Sequence, residues 1–376
     1  MISNLNIKTN IHFGEESFNS IQVNGGKCCL IINPKMPENV LQNIQRILIN
    51  KKCDVQVLNF CNGEPDSIRV NIAYSSLANS IPDFIVAIGG GSLIDFAKAL
   101  SILFSNGGKI EEYEFGERQI THLLPLYVMP SVYGSGSEVT PYAVINNSIS
   151  GRKFTLSNSN IQPTAAFIDS NIKFFIPRQI EIVSGIDAFI HCLEALLSRQ
   201  SSLLIKPFAS QGIKIGWNIL SQKINKVNTY SFEAELALIS LFGGISISHC
   251  RTGLIHTLSV AFAKYLPLPH GLLNAVMVKY ALSHNLPYYN GLLAKQMNDC
   301  LNTSFETDQD AYLHLQHWFD DLILHLEPDV KFIEVPDADK IVNRLMQDKG
   351  LQGVSHGPIT EEHLKKIVNK IIYENR

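Results

Sequence analysis

The stretch Phe84-Ile-Val-Ala-Ile88 runs without interruption into Gly89-Gly-Gly-Ser92 and then into Leu93-Ile-Asp-Phe-Ala-Lys-Ala-Leu100. A strand, a glycine turn and the start of a helix in that order demand a βαβ arrangement. Glycines let the backbone approach a ligand closely, and the free N–H groups at the following helix N-terminus favour an anion. Gly89, Gly90, Gly91 and Ser92 therefore read as a pyrophosphate cradle. A bare strand-to-helix turn is the alternative, but three consecutive glycines exceed what a turn requires. The loop is neither Gly-x-Gly-x-x-Gly nor a Walker sequence, which argues against an ordinary Rossmann dehydrogenase and against a phosphate-loop ATPase. A second segment, Met129-Pro-Ser-Val-Tyr-Gly-Ser-Gly-Ser-Glu-Val-Thr140, offers hydroxyls and backbone amides for another part of the same ligand.

Around this loop, short apolar runs at 28–32, 55–58, 84–88, 123–129 and 165–169 alternate with longer mixed segments. Helical periodicity in 37–50 and 67–78 completes the pattern of an α/β domain with a mostly parallel sheet. After Ile176-Pro177 the texture changes to long Ala-, Leu- and Ile-rich stretches such as 232–248 and 274–284. The expectation is an α/β dinucleotide-binding domain over 1–177, followed by an all-helical metal-binding domain over 178–376.

The helical half carries a candidate metal site. Asp187 and His191 stand at i, i+4, so on a helix they project from one face toward one point. His256 and His270 follow, the latter in Leu266-Pro-Leu-Pro-His270, a loop ending at a helix start. Three imidazoles with one carboxylate suit zinc or ferrous iron and leave positions open for a substrate oxygen. Taken singly, a histidine on an apolar helix face is more often a packed core residue. Asp187 resists that explanation, because a carboxylate within Gly-Ile-Asp-Ala-Phe-Ile must be paired, hydrogen-bonded or metal-bound if buried. Glu194, three residues past His191, is either a partner of the ligands or half of an exposed i, i+3 pair.

Composition excludes other classes. Lys and Arg total 31 against 34 Asp and Glu, with no basic run interleaved with aromatics, so no nucleic-acid partner is expected. No apolar run approaches the roughly 20 residues of a membrane span, and the N-terminus lacks a signal-peptide pattern. A cytoplasmic location, with no membrane partner, is the expectation. The seven cysteines are scattered, without Cys-x2-Cys spacing, and read as reduced thiols.

These residues together resemble the iron-containing (group III) alcohol dehydrogenases of the dehydroquinate synthase-like fold. The likeness runs in order through Phe13-Gly14, Gly89 to Lys98, Gly134-Ser-Gly-Ser-Glu138, Phe167-Ile-Asp169, Gly185 to His191, Gly253-Leu-Ile-His256 and Pro269-His-Gly271. The resemblance implies Asp187, His191, His256 and His270 as metal ligands, Fe2+ first and Zn2+ second, and Gly89 to Ser92 as the pyrophosphate loop. It implies that Asp95 lies near the cofactor, that Lys153 touches its nicotinamide ribose side, and that Ser131, Val132 and Ser135 contribute contacts. The implied reaction moves a hydride between an alcohol or aldehyde and NAD(P) beside a metal acting as Lewis acid, in a homodimer.

Three departures from the family pattern stand out. Family members commonly carry another histidine four residues after the third ligand, and here that position is Val260. The usual Pro-Thr-Thr-Ala-Gly-Thr segment is Pro130-Ser-Val-Tyr-Gly-Ser135. Beyond the first strand, Asn33-Pro34 places proline where NAD-preferring members often have an aspartate, which with Lys35 favours NADP. Val260, Tyr133, Phe189 and Tyr142 suggest a pocket too apolar for a polyol. A polyol dehydrogenase or an NAD- and zinc-dependent sugar-phosphate cyclase or lyase is the alternative on this fold, but the latter wants Lys and Arg around the metal, whereas Phe189, Ile190, Leu254, Ile255 and Leu258 surround these ligands in sequence.

Overall fold

The computed structural model describes residues 4–60, 63–114, 116–169, 176–224, 232–326, 328 and 330–375. The chain forms two compact units, Asn6–Ile176 and, apart from the first few residues, Pro177–Arg376.

The first unit runs β1 (Asn10–Phe13), β2 (Gly26–Ile32), α1 (Glu38–Asn50), β3 (Cys53–Asn59), α2 (Ser67–Ser76), β4 (Phe84–Gly89), α3 (Gly91–Asn106), β5 (Leu126–Pro130), β6 (Tyr142–Asn147), β7 (Arg152–Ser157) and β8 (Ala165–Ile168). Six strands make one parallel sheet in the order β1-β8-β5-β4-β2-β3. β4 is buried at every position because both faces of the sheet are covered. Ile85 and Ala87 join a core with Leu93, Phe96 and Leu100 of α3, whereas Val86 and Ile88 join one with Ile44 and Leu48 of α1. Period-two alternation thus feeds two apolar layers from one continuous run. The remaining strands, β6 and β7, form an antiparallel hairpin that the run pattern does not announce. β5 begins at Leu126 rather than at Leu123.

From β2 the chain moves outward to β3, then returns to β4 on the other side of β2 and continues to β5. The sheet's direction of growth reverses between β2 and β4, and in open parallel sheets ligands bind beyond the carboxyl ends of the strands at such a reversal. Asn33-Pro34 follows β2 and the triple glycine closes β4 there.

The described elements of the second unit are helices: α4 (Arg178–Leu197), α5 (Lys206–Ile224), α6 (Glu233–Cys250), α7 (Leu254–Phe262), α8 (His270–Asn285), α9 (Leu292–Leu301), α10 (Asp308–Leu326), α11 (Ala338–Met346), α12 (Leu351–Val354) and α13 (Glu361–Glu374). From Ile182 on, α4 is buried almost throughout, as expected of a helix apolar on all sides. Among the described residues no single helix is long and apolar enough to cross a membrane. Cys28, Cys29, Cys53, Cys192, Cys250 and Cys300 are buried and free, and Cys61 lies outside the described residues.

Candidate metal centre and cofactor loop

Helices α4, α7 and α8 supply the candidate ligands. Asp187 and His191 lie one turn apart on α4, His256 is the third residue of α7, and His270 is the first residue of α8, already helical behind the N-cap Pro269. Gly271 makes the approach of α8 to α4 feasible. A Cβ there would overlap the Val183 carbonyl oxygen and come within 3.1 Å of Asp187 Cβ.

The ligand atoms converge on Asp187 Oδ1, which is 3.4 Å from His256 Nε2 and 3.7 Å from His270 Nε2. Asp187, His256 and His270 form a set that could hold one ion. His191 stands slightly farther out, its Nε2 4.0 Å from the same oxygen and its ring stacked on His256 at 4.6 Å. The His191 Nδ1 is buried without a hydrogen-bond partner. Asp187 and His256 are buried, whereas the His270 side chain is 45% exposed and marks the accessible side.

Burial works to raise the Asp187 pKa, but His191, His270 and His256 outweigh it and hold the carboxyl well below its usual range. His191 is pushed down to about 4, chiefly by burial, and so presents the neutral ring that a metal requires. Burial also opposes charge on His256, yet Glu194 and Asp187 push it up to about 9.

Glu194 is a buried partner of the ligands rather than half of an exposed pair. Its carboxylate accepts from Gly253 N, Ile255 N and His256 Nδ1, each at 2.7 Å. Two of those donors are otherwise unserved N–H groups at the start of α7, so one side chain caps the helix and fixes the ring that the helix carries. With Nδ1–H donated to Glu194, Nε2 faces Asp187 as a lone pair.

Asn274, one turn after His270, is the participant that the histidine and carboxylate pattern does not reveal. Its Nδ2 lies 2.8 Å from Asp187 Oδ1, 3.0 Å from His256 Nε2 and 3.2 Å from His270 Nε2. A proton on His256 Nε2 and this amide N–H exclude each other, so the arrangement is that of the neutral ring. Three nitrogen and oxygen donors turned toward one another, with a buried imidazole atom left unpaired, fit a divalent ion that carboxylate and imidazole both accept.

Phe189 does not belong to this site. Two residues beyond Asp187 it points about 200° round the helix, stacking on Trp318 at 4.8 Å and on Phe319. Val260 lies on α7, one turn after His256.

In the α/β unit, Gly90 caps α3 and Gly91 and Ser92 form its first turn. The second loop presses directly on them: Ser131 N donates to the Gly89 carbonyl at 3.0 Å, Val132 lies 3.5 Å from where a Gly90 Cβ would be, and a Cβ on Gly91 would overlap Ser135 Oγ. The glycines thus leave backbone N–H groups at the helix N-terminus in a cradle that side chains would fill, which fits a pyrophosphate. Asn33 Oδ1 accepts from Lys35 N at 2.8 Å and sets the turn through Pro34 after β2.

Asp95 and Lys153 are engaged elsewhere. Asp95 is buried, accepting from Ser137 Oγ and from Val144 N, both at 2.9 Å. Lys98, one turn on, is fully buried and donates to the carbonyls of Thr140 at 2.9 Å and Tyr142 at 2.7 Å. Together they brace the second loop and β6 against α3. Lys153, on β7, forms an ion pair with Glu64.

Residues 8–170 match the iron-containing alcohol dehydrogenase family, and residues 181–372 match the C-terminal part of the Fe-containing alcohol dehydrogenase family. Alcohol dehydrogenase 4 of Saccharomyces cerevisiae is 26% identical over 243 residues, 65% of this chain and 64% of that protein. The NAD-dependent methanol dehydrogenase of Bacillus methanolicus is 26% identical over 251 residues, 67% of this chain and 65% of that protein. The match therefore spans somewhat less than two thirds of those relatives' length. Among solved structures, an iron-containing alcohol dehydrogenase from Thermococcus thioreducens shares a TM-score of 0.84 at 23% identity, over 98% of this chain and 100% of that one. An iron-containing alcohol dehydrogenase from Thermotoga maritima shares a TM-score of 0.82 at 21% identity, over 99% and 100%. At such identities the likeness shows a common fold.

Proposed function

Because this chain belongs to the iron-containing alcohol dehydrogenase family, we propose that it is a metal-dependent oxidoreductase moving a hydride between an alcohol or aldehyde and NAD(P). The observation that carries this reading is the convergence of His256 Nε2 and His270 Nε2 on Asp187 Oδ1. A divalent ion supplies Lewis acidity that favours negative charge on the substrate oxygen, and NAD(P) supplies the hydride donor or acceptor.

The chain's own residues hold these groups. Asp187, His191, His256 and His270 bind the ion, while Glu194 keeps His256 in the tautomer that offers Nε2. His270, the exposed ligand, leaves the substrate side open. Gly89 to Ser92 bind the pyrophosphate through backbone N–H groups, with Ser131, Val132 and Ser135 packed behind them and Asp95 bracing that packing. Lys153 is proposed to reach the ribose on the nicotinamide side. Fe2+ is the proposed ion, with Zn2+ the second choice for the same donor set. The Asn33-Pro34-Lys35 turn has no carboxylate to repel a 2′-phosphate, which favours NADP. A homodimeric, cytoplasmic enzyme is the form the family resemblance implies.

Val260 offers no imidazole to a polar substrate, so the proposed substrate is an aldehyde other than a polyol. An aldehyde panel assayed with NADPH and with NADH, on chelated and on Fe2+-reconstituted protein, tests the reading. Metal-dependent oxidation of reduced cofactor is the expected result. No turnover with either cofactor would contradict the activity, and clear preference for glycerol or 1,2-diols would contradict the substrate class alone.

A further inference from the structure

We propose that Asn274 is a positioning residue that holds the metal-free ligands in their convergent arrangement and competes with the incoming ion for the histidine nitrogens. The inference rests on the metal reading above.

Asn274 is fully buried, its Nδ2 within hydrogen-bond distance of Asp187 Oδ1, His256 Nε2 and His270 Nε2, and its Oδ1 without a partner. A primary amide has two N–H hydrogens for these three acceptors. In the metal-free chain it therefore serves two of them at a time, which keeps atoms that would otherwise repel one another turned inward. An imidazole nitrogen has a single lone pair in the ring plane, so His256 Nε2 and His270 Nε2 either accept from Asn274 or bind an ion. A carboxylate oxygen has more than one lone pair, so Asp187 Oδ1 can do both.

Metal binding thus leaves Asn274 one of its two hydrogen bonds, the one to Asp187, and removes the other. Replacing Asn274 takes two bonds from the metal-free protein and one from the loaded protein. The variant is less stable when empty, yet it binds the ion more tightly, because one fewer bond is displaced. One net hydrogen bond corresponds to a change on the order of tenfold in affinity. A side chain that merely packed or supported the site would lower stability and affinity together.

The test uses the full-length chain stripped by chelation, with Zn2+ as a redox-inert probe in competition with a chromophoric chelator. For Asn274→Ala the expected result is a lower melting temperature without metal and Zn2+ affinity on the order of tenfold above wild type. Equal or weaker Zn2+ binding by the folded variant overturns the proposal. Should Asn274→Ala fail to fold without metal, Asn274→Ser is compared through the rise in melting temperature on adding Zn2+: a larger rise than in wild type supports the proposal and an equal or smaller one overturns it. Wild type that binds no Zn2+ would instead remove the metal reading itself, and the proposal with it.

Discussion

Glu194→Gln isolates the function of one buried carboxylate. In wild type Glu194 Oε2 accepts from Gly253 N and His256 Nδ1, and Oε1 accepts from Ile255 N. Glutamine keeps a single acceptor oxygen. In its better orientation the amide oxygen takes the Oε2 position, and its NH2 group then faces the Ile255 N–H, donor against donor. An unsatisfied buried N–H costs about 1–3 kcal/mol, and the two surviving bonds each weaken as a charged acceptor becomes neutral. Relief of burying a carboxylate offsets part of this, leaving a net destabilisation of about 2–4 kcal/mol. In the other orientation His256 loses its acceptor, and its ring is free to turn or to change tautomer. Loss of such an outer partner typically lowers metal affinity about 10- to 100-fold. Urea denaturation of the stripped protein and chelator competition for Zn2+ measure the two effects separately. Glu194→Gln with wild-type metal affinity would refute the reasoning, whatever its stability, because ring orientation would then not depend on this carboxylate.

Two further outcomes follow from the cofactor unit. Gly91→Ala forces its new Cβ into Ser135 Oγ and should weaken NAD(P)H binding by about tenfold or more, roughly the effect of a small displacement of positioning groups. Fluorescence titration measures it, and Ser135→Gly in the same chain should restore part of the loss; no restoration would refute the steric explanation. Lys98 is pushed down to about 8 from its ordinary 10.5 by burial, against the pull of Asp95 and Glu138. Between those pH values the unfolded chain binds more protons than the folded one, so the Lys98 contribution to stability rises with pH across this window. Urea melts from pH 7.5 to 10 should show that rise in wild type and not in Lys98→Met, and parallel profiles would refute it.

The parts of this molecule legible in its sequence are those where chemistry restricts the residue type. The 84–100 segment can hardly be other than strand, cradle and helix, and a carboxylate four residues from a histidine in an apolar helix demands a partner. Residues whose type is permissive stayed hidden. Asn274 repeats the i, i+4 relation of Asp187 and His191, but asparagine occurs in many settings and its amide is noticed only beside the three acceptors it touches. Glu194 was ambiguous because three residues past His191 describes a surface pair as well as a buried cap, and what decides between them is the start of α7, 59 residues later in the chain. Phe189 misleads because nearness in sequence to Asp187 is opposite placement on a helix. The β6–β7 hairpin escaped notice because its strands alternate buried with exposed positions instead of forming the continuous apolar runs of the central sheet.

The central claim is that Asp187, His256 and His270, with His191 beside them, hold one divalent ion on which NAD(P)H-linked aldehyde reduction depends. Titrating Fe2+ anaerobically into chelated protein while following NADPH oxidation with an aldehyde tests it most directly. The account predicts activity that rises to a plateau at about one ion per chain, and no recovery at any Fe2+ level in Asp187→Ala. Full activity in the chelated protein, or an Asp187→Ala chain that responds to Fe2+ as wild type does, would contradict it.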